Sequence, residues 1–238
     1  MPLTVDLEDI KYKLVEKLKP SGWAVKLKGF IHSSEFDKIL NTLYVEREAG
    51  KRFTPPLKYV FRAFEECPLK DLKVVVIGQD PYPYMGVADG VAFSCSLTGK
   101  PQPSLRHILK AVNETCYGGL PVSEDPDLVR WSNQGVLLLN SALTCQVDKP
   151  GTHVSIWNDF IMYLIDMLSL TSSGLIFVLM GKQAQELEPV IGPNHHVLKT
   201  HHPAFAARSG TEWECEDVFN KVNEILKQSN GEEFQIRW

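Results

Sequence analysis

Four short runs punctuate the chain, and each ends in an abrupt change from apolar to polar residues. Val74-Val75-Val76-Ile77 is followed by Gly78-Gln79-Asp80-Pro81-Tyr82. Consecutive apolar residues, three of them valine, predict a strand over 73–77 that is buried on both faces. Gly, a carboxylate and Pro follow, so Asp80 is expected at a strand tip, held by a stiff turn. Val136-Leu137-Leu138-Leu139 delivers Asn140 in the same way. Leu175 to Met180 delivers Gly181-Lys182, and His196-Val197-Leu198-Lys199-Thr200 delivers His201-His202-Pro203. Ligands of open parallel α/β sheets bind outside the carboxyl ends of the strands. The pattern therefore predicts one cleft shared by a carboxylate, an amide, an ammonium and an imidazole.

Elsewhere the apolar spacing is helical. Val5, Leu7, Ile10, Leu14, Val15 and Leu18 predict a helix over 5–18. Ser33-Ser34-Glu35 starts a second, running to about Glu48 with Gly50 after it, and Thr54-Pro55-Pro56 opens a third carrying Val60, Phe61 and Phe64. Residues 79–103 are rich in Pro and Gly and read as a long loop of the kind that carries function. Helices are expected from Pro103-Ser104 to about Cys116, over 126–133, 155–170, 182–188 and 213–227, with strands at 135–139, 175–180 and 196–200. Strands alternating with helices predict a three-layer α/β/α fold around a central, mostly parallel four-stranded sheet. One domain spanning 1–238 accounts for the length. The polar tail 229–238 suggests no function.

Composition narrows the function. Hydrophobic content of 44% and charged content of 23% are ordinary for a chain with a sizeable core. A net charge of −4 gives no global signature of a nucleic-acid binder, so any such role must rest on local contacts. Five cysteines, odd in number and without a CxxC pair, read as reduced thiols. No apolar run approaches a membrane span, and Asp6, Glu8 and Asp9 suit neither a secretory signal nor a transit peptide. A soluble intracellular protein without a membrane partner is the expectation.

The strand ends carry the chemistry. A partly desolvated Asp80 can orient a water or stabilise a developing cation, although an Asp before Pro taken alone is more often a turn cap. Asn140 offers a donor and an acceptor to the edge of a planar heterocycle, or else bonds its own turn. Lys182 lies where a helix begins, a place that suits phosphate, and is otherwise a surface lysine. His195, His196, His201 and His202 lack the spacing of a metal site, and no metal is expected. His202, fixed by Pro203, reads instead as a donor to a developing anion. Tyr82 can wall a pocket and Phe93 can stack on a base; each is otherwise an ordinary packed aromatic. Ser104 reads as a hydroxyl at a helix N-cap, able to accept a phosphate. No Walker A, GxGxxG or GxSxG pattern occurs. A metal-free carboxylate, amide, imidazole and stacking ring beside phosphate contacts suit cleavage of a base from a sugar.

The segments Gly78-Gln79-Asp80-Pro81-Tyr82, Gly90-Val91-Ala92-Phe93-Ser94, Leu137-Leu138-Leu139-Asn140, Gly181-Lys182-Gln183-Ala184-Gln185 and His202-Pro203 resemble, in order and rough spacing, the motifs of family 1 uracil-DNA glycosylases. The resemblance covers nearly the whole chain. It implies a DNA repair enzyme that flips uracil from single- or double-stranded DNA and hydrolyses its N-glycosidic bond without a cofactor. It implies that Asp80 positions the water and favours the oxocarbenium-like sugar, and that Gln79 contributes to the uracil pocket through its backbone. Tyr82 would block the thymine methyl, Phe93 stack under uracil, Asn140 read its edge, and His202 stabilise the anion on the uracil oxygen. Ser104, Lys182 and the backbone near Ala204 to Ala206 would pinch phosphates. A monomer is implied, with replication proteins as candidate partners, in nucleus or cytoplasm.

Two departures stand out. Pro83 occupies a position where the family usually has His. The last motif, normally His-Pro-Ser-Pro-Leu-Ser with Leu as the wedge that enters the base stack, here reads His202-Pro203-Ala204-Phe205-Ala206-Ala207-Arg208. Phe205 is the wedge candidate and Arg208 the second choice. Viral members vary at the same motifs, so a viral source is compatible. A binding subunit for replication, or an enzyme acting on another damaged base or a free nucleoside, are the competing readings; intact Asp80, Asn140 and His202 argue against the first and the phosphate contacts against the second.

Overall fold

The computed structural model describes residues 6–120 and 123–238, so Val5 of the first predicted helix lies outside it. Three helices come first: α1 (Leu7–Leu18), α2 (Ala24–Ile31) and α3 (Ser34–Glu48). The Asp6 carboxylate accepts from the backbone N–H groups of Glu8 and Asp9 and starts α1; Ser33 does the same for α3 through Phe36. The sequence reading passed over α2, although Ala24, Leu27, Phe30 and Ile31 are buried at helical spacing. Residues 53–66 form strand β1 (Phe53–Thr54), a tight turn at 57–59 and the short helix α4 (Arg62–Glu66), in place of one continuous helix. Two consecutive prolines supply no N–H for a regular first turn, yet Val60, Phe61 and Phe64 are buried as expected.

The alternating part then runs β2 (Val74–Gly78), α5 (Pro103–Cys116), α6 (Val129–Ser132), β3 (Val136–Asn140), β4 (Cys145–Gln146), α7 (Val154–Thr171), β5 (Ile176–Met180), α8 (Lys182–Gln185), β6 (His196–Thr200), α9 (Pro203–Ser209) and α10 (Val218–Asn230). The last helix starts five residues later than predicted, because Glu216 and Asp217 adopt left-handed backbone conformations just before it. Helix α9 falls where the sequence suggested only a loop. Strands β1 and β4 pair antiparallel and are too short to show a period.

The main sheet has the order β3-β2-β5-β6, with every pairing parallel. Its two faces sort the strand residues by alternation. Val75, Ile77, Leu137, Leu139, Phe177 and Leu179 face a core built with the N-terminal helices and α7. Val74, Val76, Val136, Leu138, Ile176 and Val178 face a second core with α5 and α10. Burial on both sides explains why these strands read as unbroken apolar runs. The tail closes onto the second core: Ile236 and Trp238 are buried, and Asn223 bonds both the N–H and the C=O of Ile236. Among the described residues no helix is long and apolar enough to cross a membrane.

Candidate active site

Strand register decides what meets at the carboxyl edge. Gly78 at the end of β2 pairs with Asn140 at the end of β3, and Met180 with Thr200 across β5 and β6. The loops carrying Asn140, Gln79-Asp80, Gly181-Lys182 and His201-His202 therefore leave the sheet side by side, each about 4.8 Å from the next. β2 is followed by β3 on one side and by β5 on the other, and a reversal of this kind opens a crevice at the strand ends.

Gly78 is the keystone. A Cβ there would lie 2.8 Å from Asn140 Oδ1 and 2.9 Å from Phe93 Cζ, so only glycine lets both side chains close over the strand tip. The Asn140 amide makes no hydrogen bond to any described residue, which leaves its donor and acceptor free for a ligand. The Phe93 ring lies 5.7 Å from the His202 ring. Tyr82 donates its hydroxyl to the Phe93 carbonyl at 3.1 Å, and burial raises its pKa. A small cavity is lined by Tyr82, Phe93 and Asn140 together with Val60, Ala88 and Leu143.

Asp80 stands two residues beyond the strand. Its Oδ1 accepts from the Gly151 N–H at 2.8 Å, and both oxygens lie 3.3 Å from Gln79 Nε2. Burial raises the carboxyl above its ordinary value, while the Gly151 and Gln79 donors and nearby His153 pull it back. Gln79 uses its carbonyl on Ala142 N–H and the Ser141 hydroxyl. Its carbonyl thus ties β2 to the loop after β3.

His202 caps α9. Its Nδ1 accepts from the Ala204 N–H at 3.1 Å, so the ring's proton sits on Nε2 and is available to donate. Burial first, and the Arg208 charge second, lower its pKa to about 4, leaving the ring neutral near pH 7. Gly181, at φ +90, lets His202 approach; a Cβ would fall 2.7 Å from that of His202. His201 is exposed, its Nε2 lying 3.7 Å from Glu214, and His195 serves the other end of β6 by accepting from the Leu175 N–H. Among the described residues no group of His, Cys, Asp and Glu has the arrangement of a metal site.

The remaining predicted contacts lie around this edge. Ser104 is the second residue of α5 and not its cap; Gln102 holds the N-cap position, because Pro103 begins the helix. The Ser104 hydroxyl still stands in the first turn, beside N–H groups the helix leaves unpaired. Lys182 is exposed and opens the four-residue α8. Phe205 is 64% exposed, and Arg208, three residues on, shares its helix face. Ala204 spends its N–H on His202.

Two contributors escaped the sequence reading. Gly151, the donor to Asp80, is signalled only by the turn residues Pro150-Gly151. Asp89 is fully buried and takes bonds from Val91 N–H, the hydroxyls of Ser94 and Ser96, and Ser96 N–H, with Arg62 at 3.0 Å. This hub holds Phe93 at φ 65, a left-handed conformation unusual for a bulky residue.

Residues 64–227 match the family model described as the uracil DNA glycosylase superfamily. The chain belongs to this superfamily. It is 36% identical over 231 residues to a uracil-DNA glycosylase of Acinetobacter baumannii, covering 96% of this chain and 95% of that protein. A uracil-DNA glycosylase of Borrelia turicatae is 35% identical over 213 residues, covering 88% and 94%. The crystal structure of mimivirus uracil-DNA glycosylase superposes with a TM-score of 0.78 at 26% identity, covering 91% of this chain and 86% of that one. Like these relatives, the chain is a glycosylase of DNA repair that excises uracil.

Proposed function

We propose that this chain is a family 1 uracil-DNA glycosylase working as a monomer on single- and double-stranded DNA. The observation that carries the reading is the unbonded Asn140 amide beside Phe93, over Gly78, on the sheet edge that also bears Asp80 and His202. A flipped uracil stacks on Phe93 and is read along its edge by Asn140, while Tyr82 occupies the space a thymine methyl would need. As the C1′–N1 bond breaks, its electron pair passes to the base. His202 Nε2–H donates to the uracil oxygen where that charge collects, and the ring stays neutral throughout. Asp80 faces the cationic sugar and orients the water, whose oxygen bonds to C1′ as its proton passes to the Asp80 carboxylate. Lys182 and the Ser104 turn hold phosphates on either side, and Phe205 fills the gap left in the stack. The bacterial relatives favour a cytoplasmic setting. Partner replication proteins are to be sought by copurification.

The direct test is incubation with oligonucleotides bearing one uracil, read as abasic sites. Asp80→Asn is expected to fold, to bind DNA, and to lose turnover by on the order of 10²–10³, since it removes charge from the sugar's cation. Undiminished turnover at saturating DNA removes Asp80 from the mechanism.

A further inference from the structure

The donor that holds Asp80 belongs to a turn gripped at both ends by a carboxylate from outside the matched family region. Glu46 lies on α3, before residue 64. Its Oε1 accepts from Gln146 Nε2 at 2.5 Å, and its Oε2 lies 2.9 Å from His153 Nε2. Gln146 and His153 are the two ends of the turn whose Gly151 N–H meets Asp80.

The polarity of this network is fixed by its members. Trp157 Nε1 can only donate, and it gives its proton to Thr144 Oγ1 at 2.8 Å. The Glu46 carboxylate can only accept, so His153 Nε2–H donates to it and, in the neutral ring, Nδ1 accepts from the Thr144 hydroxyl at 2.7 Å. Burial lowers the pKa of His153, consistent with a neutral ring, while Glu46 and Asp80 oppose that shift and Lys51 assists it. Thr144 and His153 are fully buried, so neither has access to substrate. Inside the turn, Thr152 Oγ1 accepts from Gln146 N–H and donates to the Lys149 carbonyl. The turn is a closed unit fastened to α3 at two points.

We propose that Glu46, acting through Gln146 and His153, is a positioning residue for Asp80: the N-terminal helices set the geometry and the charge of the carboxylate that faces the sugar. The inference rests on the proposed role of Asp80.

The test is Glu46→Gln, measured as kcat, KM and pH profile on uracil-containing DNA. The amide accepts through one atom only, so it cannot hold Gln146 and His153 together. Expected is a loss in kcat on the order of tenfold with KM within about twofold, the pattern of a misplaced catalytic group. The Gly151 bond favours the charged Asp80, so loosening the turn raises the Asp80 pKa and moves the acidic limb of kcat to higher pH. Glu46→Asp, which keeps the charge, recovers part of the loss. In an Asp80→Asn background, Glu46→Gln costs almost nothing further. Should Glu46→Gln fail to fold, Gln146→Met, which frees one end of the turn, gives a smaller shift of the same sign. An unchanged kcat and acidic limb, or full additivity with Asp80→Asn, overturns the proposal even if the melting temperature falls. Absence of uracil release by the unaltered protein overturns the functional reading itself, whereas an active protein indifferent to Glu46 overturns only this inference.

Discussion

At the scale of single residues, the two adjacent histidines separate cleanly. His202 is packed against Phe93 and bonded through Nδ1, while His201 is 3.7 Å from Glu214 in an exposed position. His202→Leu is expected to lower kcat by on the order of 10² with little effect on affinity for undamaged DNA, because the anion it meets exists only late in the reaction. His201→Leu should stay within about twofold, as exposed substitutions do. A reversed ranking in single-turnover assays moves the donor role to His201. The depressed pKa of His202 also has a thermodynamic sign. Between pH 6.5 and about 4 the unfolded chain binds a proton at this ring that the folded chain does not. Folding stability therefore falls as pH drops through that window and is insensitive to this group above it. Urea denaturation at pH 7 and pH 4.5 should show a smaller pH-dependent loss for His202→Leu than for the unaltered protein.

Elements were legible where burial imposed a pattern. Three strands of the main sheet, β2, β3 and β5, declared themselves because apolar residues fill both faces, and Asp80, Asn140 and Lys182 were legible because each follows such a run; the edge strand β6, with His196 and Lys199 exposed, showed only Val197-Leu198 ahead of His202-Pro203. Ser33 announced its helix by capping chemistry, whereas the Asp6 cap of α1 emerged only in the structure. Parts held by long-range contacts were silent: β1 and β4 have two residues each, and α9 starts behind a proline where the sequence suggested a loop. The buried Asp89 sits in a loop whose hydrogen bonds no periodicity encodes. Helix α9 nevertheless sharpens one expectation, since Phe205 and Arg208 now share an exposed face. Phe205→Ala should slow uracil release from duplex DNA at least about tenfold more than from single strands, given that unstacking costs a few kcal/mol. Equal losses on both substrates assign Phe205 a purely structural role; a duplex-selective loss in Arg208→Ala alone moves the wedge there.

For the molecule as a whole, a net charge of −4 means that DNA is engaged by a few local groups. Salt dependence should be correspondingly shallow. Each phosphate neutralised on duplex DNA contributes about 0.9 to the slope of log K against log salt, so Lys182→Ala should lower that slope by roughly one. Equilibrium titrations in an Asp80→Asn background, where turnover does not interfere, measure it directly. An unchanged slope removes Lys182 from the interface. The sheet joins two cores, one faced by the N-terminal helices and α7, the other by α5 and α10. The backbone of Phe93 belongs to the second core and carries a cost of its own. A left-handed phenylalanine is dearer than a glycine in the same place by about 1–3 kcal/mol. Selection for stability alone would favour a residue without a side chain there. On the proposed stacking role, the aromatic ring is an adaptation to the base it meets, kept at the expense of the fold that carries it.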